Sequence, residues 1–215
     1  MEAHQLVLFV AAGLLLNLTP GPDVLFIVSS ALRSGLKAGI VAAFGITAGC
    51  FVHIFAAALG VGALVAASAT AFNVLKWIGA AYLLFVGVKL LFSRAAPAMD
   101  LVAADAVPVR ATGLKGIFFK AFATNALNPK VALFFLAFVP QFIGPAVEHK
   151  TLAFLALGAL FNFNALWVNI GWAAAAGWMA RRESVQRGMH WLDRAAGAMF
   201  IAFGLKLAMS ENPAR

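Results

Sequence analysis

Two short motifs place an ionisable residue directly after a proline in otherwise apolar sequence. Asp23 follows the letters PGP, and Lys130 follows the letters NP. A carboxylate inside a bilayer is costly unless it is paired, hydrated or protonated, so its charge can change with its surroundings. Asp23 is therefore a candidate for the proton site of a proton-coupled carrier. Alternatively, it caps a helix that starts at Val24 by accepting free backbone N–H groups, and the two roles can coexist.

Lys130 is the natural partner of Asp23, because it follows the second proline motif and would neutralise the acid. The alternative is a lysine whose long side chain reaches the membrane surface. If the pair exists, a zwitterionic substrate could compete for it, with its carboxylate at Lys130 and at free helix N-termini and its ammonium at Asp23. Five residues around the motifs could bind this substrate, and their polar groups could instead satisfy the backbone: Asn17, Thr19, Gly21, Asn125 and Asn128.

Three further asparagines lie in the segment "FNFNALWVN". Asn162 and Asn169 share one helical face, whereas Asn164 is rotated from Asn162 by about 200°, so the three cannot all line one cavity. Hydrogen bonding between helices is the default for each of them. His53 and Tyr82 are expected to be packing residues rather than ligands, and the roles of all five stay open.

The composition places these residues in a membrane. The chain is 63% hydrophobic and 11% charged, with a mean hydropathy of +0.93, which is too little polar surface for a soluble globule. A helix needs about 20 mostly apolar residues to cross a bilayer. On this basis the sequence predicts an all-α integral membrane protein with six transmembrane helices at roughly 5–32, 37–66, 73–92, 114–143, 151–180 and 189–209.

The formal net charge of +8 is explained by membrane topology. Basic residues concentrate in the loops after the first, third and fifth segments, so the positive-inside rule predicts cytoplasmic loops there and both termini in the periplasm. These loops also favour contact with anionic lipid. No basic face with interleaved aromatic residues indicates nucleic-acid binding.

The polar stretch 93–113 is expected to be a cytoplasmic linker between a first repeat, 1–92, and a second, 114–215. Three spans in each half make the halves an inverted repeat. Pro20, Pro22 and Pro129 break the first and fourth helices at matching positions, because proline removes a backbone donor and clashes with the preceding turn. Broken backbone at bilayer depth must face protein or a cavity, and matching breaks in inverted halves indicate a transporter's binding site.

Other kinds of site find little support. The four histidines are scattered and no hydrolase, phosphate-loop or zinc-protease motif is present, so we expect no enzyme, no metal and no cofactor. With one cysteine, an internal disulfide is excluded. The glycine pairs Gly35/Gly39 and Gly45/Gly49 suit close helix packing, either internal or in a dimer. A channel or a cation exporter on a related fold remains the alternative function.

Four motifs together resemble the LysE/RhtB family of bacterial amino-acid exporters: "NLTPGPD" at 17–23, "SGLKAGIVAAFGITAG" at 34–49, "GAAYLLFVGVKLL" at 79–91 and "NPKVALFFLAFVPQF" at 128–142. The resemblance implies an inner-membrane carrier that expels amino acids or related metabolites using the proton gradient, as a homodimer. The family's usual glycine ahead of the second signature is Ala121 here. A neutral amino acid is the expected substrate, because only Asp23 supplies a carboxylate well inside the spans.

Overall fold

The computed structural model describes residues 3–67, 69–92, 113–144, 147–179 and 183–209. All regular structure in these ranges is helical, which confirms the all-α class. Of the predicted linker, 93–112 lies outside the described residues, while Gly113 already begins a helix.

The first half begins with the predicted broken helix. Helix α1 (Ala3–Leu18) and helix α2 (Pro22–Ser34) meet at an angle of 51°. Gly35 follows α2 with a φ of +85°, a left-handed conformation that favours glycine. Helix α3 (Leu36–Ala67) and helix α4 (Ala69–Leu91) complete this half. The third segment was predicted at 73–92 and therefore starts four residues earlier than predicted, at Ala69.

The second half repeats the break and adds an irregular half-helix. Helix α5 (Gly113–Ala126) is followed by helix α6 (Pro129–Leu133), and the segment Pro129–Phe142 is bent from α5 by 45°. The chain then continues through a π-helical turn, Phe134–Phe138, and a 3-10 turn, Val139–Phe142. Pro140 explains this irregularity, since it has no N–H to donate and its ring crowds the carbonyl one turn earlier. Helix α7 (Lys150–Met179) and helix α8 (Glu183–Met209) follow.

The helices differ in how well they qualify as membrane spans. Within the described residues, Leu36–Gly60 and Lys150–Ala176 are long and apolar enough, and the two bent pairs bring the number to four if each crosses as one span. The apolar parts of α4 and α8, Trp77–Lys89 and Gly197–Met209, are shorter. The six-span arrangement therefore stays a prediction.

Small residues set the closest contacts between helices. A Cβ built on Gly49 would lie 2.5 Å from the Phe122 carbonyl of α5, and one on Gly45 would collide with the Phe118 carbonyl and come within 2.7 Å of the Ala121 methyl. Ala121 is thus accommodated because the facing residue of α3 is glycine. This pair of glycines serves packing inside the chain.

Helices α4 and α8 cross at a second glycine contact. A Cβ built on Gly87 would lie 2.7 Å from the carbonyl oxygen of Gly197, and a Cβ on Gly197 would lie 2.7 Å from the carbonyl oxygen of Gly87. The contact is reciprocal, so the two backbones meet without an intervening side chain.

A cluster of phenylalanines fills the core on one side of the breaks. Phe134 of the π-helical turn stacks on Phe138 with ring centroids 4.8 Å apart and lies 4.7 Å from Phe161 of α7. Phe138 also meets Phe203 of α8 edge-on at 4.4 Å. Phe9 of α1 contacts the same turn. The irregular half-helix is therefore held by aromatic contacts to three other helices.

Candidate functional site

The two helix breaks meet at one cavity of about 30 Å³. This volume holds about two water molecules. Helices α1, α2, α3, α5, α6 and α7 contribute to its wall. Every residue predicted to bind substrate lines it: Asn17, Thr19, Gly21, Asp23, Asn125, Asn128 and Lys130.

Lys130 replaces the backbone donor that the first break removes. In a continuous helix the carbonyl of Leu16 would accept from the N–H of residue 20, but that residue is Pro20, which has no N–H. The Lys130 Nζ donates to the carbonyl of Leu16 at 3.0 Å and to the carbonyl of Thr19 at 3.0 Å. A cation is also favourable at a helix C-terminus, so Lys130 stabilises the end of α1.

Two other side chains donate hydrogen bonds to carbonyls in the last turn of α1. The Thr19 hydroxyl donates to the carbonyl of Leu15 at 2.6 Å, and the indole Nε1 of Trp172 donates to the carbonyl of Asn17 at 3.4 Å. Both carbonyls belong to the last turn, whose acceptors have few intrahelical partners. The broken backbone is thus satisfied by protein groups around the cavity.

Asp23 joins the two breaks. Its Oδ2 accepts a hydrogen bond of 2.8 Å from the Nδ2 of Asn125, at the end of α5. The capping alternative placed the helix start at Val24, which is wrong: α2 begins at Pro22, with Gly21 in the cap position and Asp23 in the first turn. An acid there still complements the positive end of the helix. The ammonium of Lys130 is also near enough to interact electrostatically with this carboxylate.

The second break is organised by Asn128 and His53. The Asn128 side chain accepts from the N–H of Lys130 at 3.0 Å, which makes it the N-cap of α6. The carbonyl of Asn125 lies 2.8 Å from the Nε2 of His53. Because a carbonyl only accepts, the Nε2 must carry the proton. His53 is buried and is not among the residues that line the cavity.

Helix α7 divides its asparagines as the helical geometry predicted. Asn162 and Asn169 line the cavity and are buried, whereas Asn164 is not among the lining residues. The Nδ2 of Asn162 donates to the carbonyl of Thr47 at 3.1 Å, so this residue bonds between helices and lines the cavity. Tyr82, on α4, lies outside the cavity with its ring 6.4 Å from that of Phe85.

The sequence reasoning missed the contribution of α3. Thr47 and Cys50 line the cavity, and neither was a candidate. Their signal was the spacing, since residues three positions apart share a helical face, and the neighbouring Ala43 and Ile46 are buried. Within the described part of the chain, no group of three or more histidine, cysteine or acidic side chains could hold a metal.

Comparison with known proteins places the chain in a family. The profile of the LysE type translocators matches residues 14–211. The homoserine/homoserine lactone efflux protein of Salmonella typhimurium is 31% identical over 95% of this chain and 96% of its own length. The leucine efflux protein of Salmonella choleraesuis is 31% identical over 69% of this chain and 68% of its own length.

A membrane protein of Vibrio cholerae is 31% identical over 98% of this chain and 100% of its own length. No solved structure matches the chain. The resemblance inferred from the four motifs is confirmed, and the chain belongs to the LysE type translocator family.

Proposed function

We propose that this protein is a secondary active transporter that exports neutral amino acids or related metabolites across the bacterial inner membrane, driven by proton antiport through Asp23. The observation that carries the proposal is the position of Asp23 in the cavity where both helix breaks meet. Family and named relatives indicate a transporter and not an enzyme.

The proposed architecture is six transmembrane helices in two inverted repeats, assembled as a homodimer with periplasmic termini. Breaks near the middle of both lead helices support the repeat, and so does the reciprocal contact of Gly87 and Gly197. The distribution of basic residues supports the topology. The homodimer is an expectation from the family resemblance.

A single carboxylate can couple proton influx to substrate efflux when the proton and the substrate compete for it. Asp23 holds either a proton or the ammonium of a substrate, because protonation removes the negative charge that attracts the ammonium. On the cytoplasmic side, the ionised carboxylate binds substrate. On the periplasmic side, where the proton concentration is higher, a proton displaces it. The cavity must widen during this cycle, since its present volume of about 30 Å³ suits water.

The charges of the wall support a neutral side chain. Asp23 is the acid and Lys130 the base among the described residues that line the cavity. A substrate with a second ammonium, such as lysine, would find no second carboxylate there to offset its desolvation. The names of two relatives, leucine efflux protein and homoserine/homoserine lactone efflux protein, also favour substrates without a second ammonium.

The test is flux of radiolabelled amino acids in proteoliposomes with an imposed pH gradient. We expect saturable, gradient-driven flux of leucine, threonine or homoserine, weak flux of lysine, and loss of gradient dependence in Asp23→Asn. Glu148→Gln, which alters an exposed acid outside the helices, is the matched control and should keep full activity. Unchanged coupling in Asp23→Asn would contradict the assigned proton site.

The same vesicles test the alternative function. Ion flux without saturable amino-acid flux, from protein shown to be folded and inserted, would favour a channel-like or cation-exporting transporter. A channel would also conduct without any requirement for Asp23 to exchange a proton.

A further inference from the structure

Four buried side-chain atoms of cavity-lining residues have no hydrogen-bond partner among the described residues. They are the Nδ2 of Asn17, the Oδ1 of Asp23, the Oδ1 of Asn125 and the Oδ1 of Asn162. Asn128 lies beside the Asp23 carboxylate without making a hydrogen bond of ordinary geometry to its Oδ1. Buried polar atoms are nearly always satisfied in native proteins, so a concentration of unsatisfied atoms around one cavity indicates groups that await a ligand or water.

The identity of two acceptors follows from their neighbours. The amide of Asn125 faces the Asp23 carboxylate, and the amide of Asn162 faces the Thr47 carbonyl. A carboxylate and a carbonyl only accept hydrogen bonds, so the NH₂ group of each asparagine must be the atom that faces them. The oxygens of Asn125 and Asn162 are therefore the atoms left over.

The unsatisfied set thus contains three acceptors and one donor. A primary ammonium has three N–H donors and no acceptor, which is the complement of these acceptors, and the Asp23 carboxylate adds the opposite charge. Both Asn125 and Asn162 are nearly fully buried, at 3% and 2% exposure. An ammonium placed among them would form charge-assisted hydrogen bonds, which are roughly twice as strong as neutral ones.

The carboxylate end of an amino-acid substrate would meet fewer hydrogen-bond donors in this cavity. The cation expected to hold a substrate carboxylate is Lys130, and its ammonium already donates to two backbone carbonyls of α1. The unsatisfied donor on the wall is the neutral Nδ2 of Asn17. A neutral amide donor can bond the oxygen of a carbonyl, an ester or an amide as well as that of a carboxylate, so it does not itself require an ionised group.

We infer that this cavity selects its substrate by the ammonium group, through Asp23, Asn125 and Asn162, and does not require a free carboxylate. Its substrate class is small primary amines that carry a carbonyl group, which includes amino acids and their carboxyl-blocked derivatives such as lactones, esters and amides. This inference rests on the proposed function and specifies which half of the substrate is recognised. The name of one relative pairs homoserine with its lactone, two molecules that share the ammonium and differ at the carboxyl group.

Ligand-induced thermal stabilisation of the purified protein tests this recognition without depending on transport. A ligand that binds only the folded state raises the melting temperature, and the stabilisation grows as RT ln(1 + c/Kd), where c is the free ligand concentration. Four probes separate the groups: leucine, leucine amide, N-acetyl-leucine and homoserine lactone. We expect stabilisation by leucine, by its amide and by the lactone, and none by N-acetyl-leucine, which lacks an ammonium. Stabilisation by N-acetyl-leucine, by leucine alone, or by none of the probes would overturn the inference.

A pair of variants on one helix identifies the acceptor. Asn162→Ala removes one acceptor and should weaken the apparent affinity for leucine amide about tenfold, the value of one hydrogen bond to a charged group. Asn164→Ala changes the same residue type two positions away and outside the cavity wall, and it should leave the affinity unchanged. Equal effects of the two variants would contradict the assigned acceptor.

Flux measurements separate failure of this inference from failure of the proposed function. The same probes are added as competitors of radiolabelled leucine in proteoliposomes. Leucine flux that is blocked by N-acetyl-leucine and not by leucine amide would leave the exporter standing and refute ammonium selection. Absence of all amino-acid flux, together with stabilisation by the amines, would refute the exporter and retain an amine-binding cavity.

Discussion

Replacing Lys130 by methionine tests how the first helix break is stabilised. Methionine keeps a similar unbranched chain and removes the ammonium, so the carbonyls of Leu16 and Thr19 lose donors that lie 3.0 Å away in each case. Breaking a hydrogen bond to a charged group costs about 1.5–3 kcal/mol. The two bonds together give about 3–6 kcal/mol.

The lower end of this range is the better expectation. The cavity has room for about two water molecules, and these can hydrate the carbonyls after the ammonium is gone. A loss of about 3 kcal/mol corresponds to a fall in melting temperature of about 6–12 °C for a protein of this size. Lys130→Arg should lose less than half as much, since a guanidinium can still donate to both carbonyls.

The measurement is thermal unfolding of purified protein in one detergent, followed by intrinsic tryptophan fluorescence. Lys120→Met is the matched control, because Lys120 lies on the exposed side of α5 and away from the cavity wall. A Lys130→Met protein that melts within about 2 °C of this control would refute the view that Lys130 supports the end of α1.

Three further perturbations test other parts of the fold. Gly49→Ala puts a Cβ 2.5 Å from the Phe122 carbonyl and should lower the free energy of unfolding by about 1–3 kcal/mol through overpacking. The control Gly60→Ala, whose new Cβ would meet no neighbouring atom within 4 Å, should melt no lower than the parent protein. Equal melting temperatures of the two variants would contradict the close contact between α3 and α5. Asn128→Ala removes the N-cap of α6 and should cost about 1 kcal/mol, while Asn128→Ser should retain the cap without adding a charge beside Asp23. Identical losses in the two variants would argue against capping. Cys50 is the single cysteine of the chain and is buried at the cavity. Its labelling by maleimide, followed by intact mass spectrometry, should be far slower in the folded than in the denatured protein, and leucine should slow it further. A folded protein that is labelled at the rate of the denatured protein would place Cys50 outside the cavity wall.

The sequence predicted the helix breaks well because proline acts locally. Each of Pro20, Pro22 and Pro129 lacks a backbone N–H, and its ring crowds the carbonyl one turn earlier. These two effects interrupt a continuous helix irrespective of the neighbouring helices. The opposite placement of Asn162 and Asn164 followed from helical geometry alone. Predicting these features does not require knowing which helices are neighbours.

Features that depend on neighbouring helices were harder to predict. The sequence suggested Asp23 as the partner of Lys130, and it did not suggest the two backbone carbonyls that accept from its ammonium, because backbone acceptors carry no residue-type signal. Thr47 and Cys50 were missed because α3 is apolar over most of its sequence, which does not show which of its faces meets the cavity. We attribute the π-helical turn at Phe134–Phe138 to Pro140 and to the aromatic contacts around the turn. The sequence shows the proline, but it does not show which aromatic rings of other helices pack against the turn.

The crossing of α4 and α8 limits how the two halves can move relative to each other. At Gly87 and Gly197 backbone rests on backbone, and sliding one helix along the other would carry Leu91 or Ile201, which flank the contact, over the crossing point. Rotation about that point keeps the glycines together and displaces the distant ends of the helices most. Interlocked packing resists gradual deformation, so we expect this crossing, like the α3–α5 contact at Gly45 and Gly49, to stay closed when other parts of the molecule move.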